Sequence, residues 1–510
     1  MSVSPPCWQC GASAIEGPAF LDSIGRIPSN VARLLANNDP PSDDDIPVVR
    51  GRIDAGMARI DEIDSQIDML YSVIGRLAEE RTSIQKFVKQ NATILSPIRR
   101  TPPELVFEIL GQAWSFTRRI GDHRVNRPPW HFGHICRSWR ASALASPYLW
   151  NSIEIFNSSA FPVADVSPQP MLEAQYSRSA NHPLEVLISA WDLSPDDQWM
   201  KSFLSNCHCW GALRLRTVRH LLDDLWPIRY RLASLQLLEL TTGTEDHTSY
   251  YEYPSPPRDI FKHAPKLSEI ILTDPACRQL SVSLEIPWNQ IVHYRGTYSP
   301  DSQLEILKAA PGLVECGLGT WGSVQDRVTL KHLRKLHIKG TGYLKSLEAP
   351  MLEQLSMSGQ ADQLPFFLRR SSCRLTRLAL TYCSGVAALS EVLRALPGLT
   401  YFALEPNPGV QQETKQLFSA MTLSGLLSDL CPHLAEFAYG DRGLGSLEAT
   451  LTRMIESRVQ RGTLTFFRLW LLNPPAAAFK ERLYELSCDG LDAAVISHAE
   501  AAEFMMSDRP

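Results

Sequence analysis

The chain has 510 residues, 44% hydrophobic and 21% charged, with a formal net charge of −5. That length exceeds one ordinary hydrophobic core and asks for several domains or an elongated repeat array, while the mild acidity gives no reason to expect nucleic acid. No apolar run has bilayer length and the start lacks a secretory pattern, so a cytoplasmic or nuclear chain without a membrane partner is expected, its eleven scattered cysteines reduced.

Residues 1–50 carry Pro, Asn and Asp clusters and read as a mostly disordered segment. Cys7 and Cys10 have metal or redox spacing, but no second ligand pair lies nearby, and incidental thiols in a tail explain them better. A helix with a period of seven is predicted over 51–92. One series is Ile53, Ile60, Ile67, Ile74, Arg81 and Val88; the second, three residues on, is Gly56, Ile63, Leu70, Leu77, Ile84 and Asn91. Alternating steps of three and four put both on one seam, as in a short coiled coil. A second copy, meeting through 53–88, and the chain's own domains are the two candidate partners for that seam.

Over 95–153 two short amphipathic helices are expected. Thr101-Pro102-Pro103-Glu104 satisfies several helix-start rules, and Leu105, Ile109 and Leu110 follow as an apolar face widened by Val106 and Phe107. After a loop with Arg118, Arg119, Arg124 and Arg127, a second helix is expected from about Trp130, with Phe132, Ile135, Cys136, Trp139 and Ala143 at helical spacing. Ser146-Pro147 stops it before Leu149-Trp150. So small a core normally leans on a partner or neighbour.

These blocks, Pro102-Pro103-Glu104-Leu105…Glu108-Ile109-Leu110, Ile135-Cys136-Arg137-Ser138-Trp139-Arg140 and Ser146-Pro147-Tyr148-Leu149-Trp150, resemble the F-box. The likeness is nearest to the F-box-like proteins abundant in mushroom-forming fungi, which also carry a preceding helix ending like Leu95–Arg100. Thr101 stands where that family usually has Leu, and the stretch between Leu110 and Cys136 is longer than usual. The resemblance implies docking onto the SKP-type adaptor of a cullin-RING ubiquitin ligase. Pro103, Leu105, Ile109, Trp139 and Trp150 are the positions it implies for adaptor contact or the F-box core.

From about 184 to 490 a pattern L-x-x-L-x-L recurs, with aromatic or aliphatic substitutes. Leu235/Leu238/Leu240, Leu267/Ile270/Leu272, Leu333/Leu336/Ile338, Leu352/Leu355/Met357 and Leu375/Leu378/Leu380 are clear instances. Leu399/Phe402/Leu404, Leu434/Phe437/Tyr439 and Leu464/Phe467/Leu469 extend it, and Leu313/Cys316/Leu318 is weaker. First positions from 313 step by 20, 19, 23, 24, 35 and 30, of which the shorter fit leucine-rich repeats and the longer imply insertions. Pro265, Pro311, Pro350, Pro397 and Pro432 each sit two residues before the first Leu, where a helix must return to a strand. Cys383 alone matches the Asn usual after such a strand. Residues 491–510 are read as a tail.

The fold class expected is therefore α+β: a heptad helix and small all-α module, then an irregular α/β leucine-rich-repeat solenoid. Residues between the leucines would line a concave face made of Arg334, Lys335, His337, Lys339, Arg377, Tyr401, Arg468 and Trp470, and cations among aromatics suit an acidic or phosphorylated peptide. Cys207-His208-Cys209-Trp210 has ligands too close for an ordinary zinc finger and reads as buried side chains. Gly317-Leu318-Gly319-Thr320-Trp321-Gly322 matches G-x-G-x-x-G, but a dinucleotide site needs that run to open a helix. No cofactor, metal or catalytic residue is expected. Two functions remain open: a ligase substrate-recognition subunit, or a repeat scaffold or sensor with a degenerate F-box.

Overall fold

The computed structural model describes residues 27–119, 129–156, 169–180, 182–189, 198–216, 222, 224–241, 259–273, 284–297, 300–319, 326–425, 429–497 and 500–501. Cys7, Cys10, Arg124, Arg127 and Thr320–Gly322 lie outside them. The chain divides into two compact units at Leu105/Val106.

In the first unit, helix α1 (Ser29–Ala36) precedes helix α2 (Asp45–Ala92), a single 48-residue element. The expectation of disorder up to residue 50 fails for its described part, and the reason is a hydrogen-bonded carboxylate at the helix start. Asp45 accepts hydrogen bonds from the Ser42 hydroxyl (2.6 Å), the Ser42 backbone amide (3.2 Å) and Asn30 Nδ2 (2.5 Å). The Asp45 carboxylate thereby takes up the Ser42 amide just ahead of the first turn, and the acidic run beside it favours the positive end of the helix. The aspartates that looked like linker composition start the helix six residues early.

Helix α3 (Pro103–Arg119) begins three residues before that boundary, and a 3₁₀ turn (Pro129–His134) and helix α4 (Arg137–Leu144) follow it in the second unit. The expected second helix is therefore broken at Cys136, whose backbone is extended (φ −162°). The turn and the helix are tied across the break by Arg140 Nε donating to the Gly133 carbonyl at 2.8 Å. A 3₁₀ turn brings side chains round at nearly helical spacing, so the pattern ran through unbroken in sequence. Val106, Leu110, Trp114, Phe132, Trp139, Ala143, Leu149 and Trp150 form a small core separate from that of the sheet.

All strands of the main sheet are parallel and each pairs with its neighbours in chain order: β1 (Ser152–Phe156), β2 (Leu184–Ser189), β3 (Trp210–Arg216), β4 (Leu237–Thr241), β5 (Glu269–Thr273), β6 (His293–Thr297) and β7 (Glu315–Leu318). A two-residue strand β8 (Val328–Thr329) pairs only with β10 (Leu347–Glu348), while β9 (Lys335–Lys339) continues the sheet. Then come β11 (Gln354–Gln360), β12 (Arg377–Ser384), β13 (Tyr401–Pro406), β14 (Glu436–Asp441), β15 (Phe466–Leu471) and β16 (Asp492–Val495), fourteen strands in one sheet among the described residues. The sheet thus begins before 184 and ends inside the supposed tail.

The repeated leucines explain this order. Leu238, Ile270, Leu336, Leu355, Leu378, Phe402, Phe437 and Phe467 face one side and are fully buried or nearly so, among helix residues such as Leu307, Phe367, Val392, Phe418 and Met454. Each such side chain contributes about 1.5–3 kcal/mol on burial. Phe402, Phe437 and Phe467 stack along successive strands with ring centroids 5.9 and 5.8 Å apart. One strand and its helix have no covered face alone; stacking supplies it.

Before several of the strands the chain makes a four-residue turn closed by the amide of the first leucine. Leu267, Leu352, Leu399 and Leu434 donate to the carbonyls of Ala264, Ala349, Leu396 and Cys431. Pro265, Pro350, Pro397 and Pro432 occupy the second position of these turns, where a fixed φ near −65° costs nothing and no amide is needed. The proline rhythm is a turn rhythm.

Several strands were not legible. Register places Ile153/Ile155, Leu184/Val186/Ile188, Trp210/Leu213/Leu215 and Ile291/Tyr294/Gly296 in the buried positions of the repeat. A tryptophan in first place hid the third, and a register shift just after Leu184, which pairs with Trp210, left the second without the L-x-x-L spacing. In the fourth, a Cβ at Gly296 would fall 2.1 Å from the Tyr294 hydroxyl, so the tyrosine fills the room a third leucine would need.

A candidate binding face on the sheet

The face opposite the leucines carries three rows of side chains. In the middle row β5 to β14 present Ile271, Arg295, Gly317, His337, Ser356, Ala379, Ala403 and Ala438 in turn. Between β5 and β13 the row leaves a hollow of about 260 Å³. Its floor lies at Gly317 and Gly319, which project no side chain, and its walls include Thr297, Arg295, Lys335, His337, Lys339 and Arg377.

These glycines shape the hollow. Gly317 lies within β7 and the Gly319 amide donates to the Gly296 carbonyl at 2.7 Å. A Cβ at Gly319 would sit 2.3 Å from Thr297 Cγ2, so the strands approach too closely there for any side chain. Gly317 lies in a strand and Gly319 directly follows it, while the rest of the run lies outside the described residues.

Four cationic side chains and one carboxylate, Glu315, line the hollow. Arg295 pairs with Glu315 at 2.8 Å; Arg377 pairs with Glu436 at 3.5 Å and lies 3.9 Å over the Tyr401 ring. Among the described residues no carboxylate is within ion-pair reach of Lys339, which is exposed. Burial, then Lys339 and Arg295, hold the His337 imidazole below its ordinary pKa against the opposing pull of Glu315. A neutral, half-buried imidazole between cations can donate to or accept from a ligand, and an anion entering there would favour its charged form.

Not every expected residue joins this site. Arg334 lies before β9 at the sheet's edge, paired with Glu353 at 3.0 Å, outside the hollow. Arg468 is committed to Asp492 through two 3.0 Å contacts. Tyr401 borders the hollow but is itself buried, as is Trp470: with Ala379, Ala403, Ala438 and Ala501 they make a second small core on this face, against which Ile496 packs. The end of the chain therefore seals the part of the face over β13 to β15, a correction to its reading as open. Arg295, Glu315, Gly317 and Ser356 were missed; the alternation of each strand marks their side of the sheet, but only pairing register brings them together.

The other expected surface is on α3. Val106, Leu110 and Trp114, spaced by four, turn into the small core, while Leu105 and Ile109 remain 55% and 43% exposed and Pro103 is exposed. Trp139 and Trp150 are core residues. Trp150 Nε1 donates to the Ala143 carbonyl at 2.8 Å, and the Arg178 guanidinium lies 4.4 Å from its ring. The Thr101 hydroxyl is turned back to the Pro97 carbonyl (3.4 Å).

Cys207 and Trp210 are buried and Cys209 half-buried, its thiol donating to the Asn206 carbonyl at 2.9 Å. Cys383, at the Asn-like position, is buried with its pKa pushed up to about 12 by burial. Among the described residues no helix is long and apolar enough to cross a membrane. No protein-family model matches the chain, and no curated protein is significantly similar to it.

Proposed function

We propose that this chain is the substrate-recognition subunit of an SCF-type cullin-RING ubiquitin ligase. In this reading residues 95–153 are an F-box that docks the SKP-type adaptor, and leucine-rich repeats hold a protein substrate. The observation that carries it is the split face of α3: Val106, Leu110 and Trp114 fill a core, while Leu105 and Ile109 stand uncovered on a module too small to be indifferent to a partner. The hollow over Gly317, with Lys335, His337 and Lys339 on one wall, receives an acidic or phosphorylated side chain of the substrate. The chain performs no chemistry; it tethers substrate beside a charged conjugating enzyme and raises the local concentration of acceptor lysine.

The adaptor should co-purify in near-equal amount with the intact chain and be lost from a Leu105→Asp/Ile109→Asp variant. Both side chains are exposed, so the variant keeps its fold. Failure of the intact chain to retain adaptor would favour the second reading, a repeat scaffold or sensor with a degenerate F-box. Thr101, standing where the family usually has Leu, is the observation on that side.

A further inference from the structure

Helix α2 carries an apolar seam for which the first unit offers no cover. Among its residues only Asp45 is buried, while Ile53, Ile67 and Leu70 stand 58%, 42% and 38% exposed. Because the helix starts at Asp45, Ile46 and Val49 extend the seam by a further step. Heptads sustained this far ask for another helix.

Of the three irregular seam positions, Asn91 donates to the Phe87 carbonyl of its own helix, while Arg81 and Gly56 indicate which helix and in which direction. In a parallel, in-register pair of copies, Arg81 would meet Arg81 and Gly56 would meet Gly56, giving a like-charge layer and a gap. In an antiparallel pair centred on Ile67 against Leu70, Arg81 falls opposite Gly56 of the second copy and Val88 opposite Val49; the layers between join isoleucine to isoleucine or leucine. Gly56 has open space around its missing Cβ, and glycine in a helix interior costs about 1 kcal/mol relative to alanine. The stem of Arg81 fills that space and leaves its head at the rim. On the flank Arg59, which within one copy pairs with Glu62, faces Glu80 of the second copy, twice by symmetry. The parallel pair would set it against Asp64 instead, so charge permits both directions and the Arg81–Gly56 layer decides.

We propose that the chain is a homodimer held by an antiparallel coiled coil of helix Asp45–Ala92. At 1.5 Å per residue, the two Ala92 ends then stand about 70 Å apart, against about 10 Å in a parallel pair. Such a dimer engages two separated sites on one partner, and neither binding step depends on an adaptor.

Sedimentation equilibrium of the full chain at micromolar concentration tests this. The expected result is a dimer that Ile67→Asp with Leu70→Asp converts to monomer. Arg59→Glu should weaken the dimer about tenfold by replacing two attractions with repulsions. Adding Glu80→Arg should restore it, and adding Asp64→Arg should not. Rescue by Asp64→Arg alone would establish a parallel pair and overturn the proposal; so would an intact chain that stays monomeric at tens of micromolar. Both double variants lose the Arg59–Glu62 contact equally, so their comparison reads direction alone.

Discussion

Two glycines on the same face of the sheet have opposite consequences. At Gly440, in β14, a Cβ would collide with the Trp470 indole at 2.0 Å, so the space is already taken by a buried tryptophan. At Gly317, in β7, no aromatic side chain fills the room, and the hollow remains. The neighbours differ accordingly. Around Trp470 the middle row holds Ala403 and Ala438, with Ala501 on top; around Gly317 it holds Arg295 and His337, whose charges and polar atoms resist being covered. Identical backbone pairing thus yields core in one place and a receptive surface in the other, and the choice lies in what the small residues leave room for.

Removing the filler is the severest way to break the comparison. Trp470→Ala should cost about 3–5 kcal/mol, because the indole is fully buried and rigid strands on either side limit collapse. Denaturant unfolding of the full chain measures it, and a loss below about 1 kcal/mol would mean that the sealed half of the face is loosely packed.

Filling the empty side is the converse. Gly317→Val places a favourable strand residue in β7, and its Cβ meets only the flexible Arg295 side chain at 3.1 Å. Stability should stay within about 1 kcal/mol, while capture of an acidic peptide weakens about tenfold or more by fluorescence titration. Unchanged capture would move the binding site elsewhere.

His337 offers the smallest and finest test. Its pKa in the folded chain lies below the ordinary value, so between that lower pKa and about pH 6.5 the unfolded chain binds more protons. Stability contributed at neutral pH is therefore lost as pH falls below about 6.5. His337→Gln should flatten this part of the profile by less than about 1 kcal/mol, read from unfolding midpoints at pH 7 and pH 5. Parallel profiles for the two proteins would refute it. An anion in the hollow acts oppositely, so capture should tighten on acidification in the wild type and not in the variant.

Much of the architecture was legible because it is written in local periods. The seam of Ile53 to Val88 needs only the helix's own repeat, and Leu378/Leu380 or Leu336/Ile338 only the alternation of a strand. The prolines were legible for the same reason: Pro397 acts within its own four-residue turn. Where a local signal carried two meanings, composition misled. Asp43–Asp45 reads as linker until Ser42 and Asn30 are seen to donate to Asp45 at the helix start. The break at Cys136 was hidden because the flanking turn keeps nearly helical spacing.

The site was half legible. Lys335, His337 and Lys339 stand on one strand, and alternation alone put them on one face; the same holds for Leu105 and Ile109 against Val106 and Leu110 on α3. What sequence could not supply was distance across the chain. Arg295, Gly317 and His337 come from three strands and share a hollow only through the pairing of β6, β7 and β9. Trp470 looked as open as Lys339 because both occupy the same row; only the return of the chain at Ile496 and Ala501 separates them. The sequence by itself determined which way each side chain faces, since that follows from backbone periods of a few residues. Tertiary structure alone decided which outward faces stay wet, because that depends on packing between residues far apart in the chain.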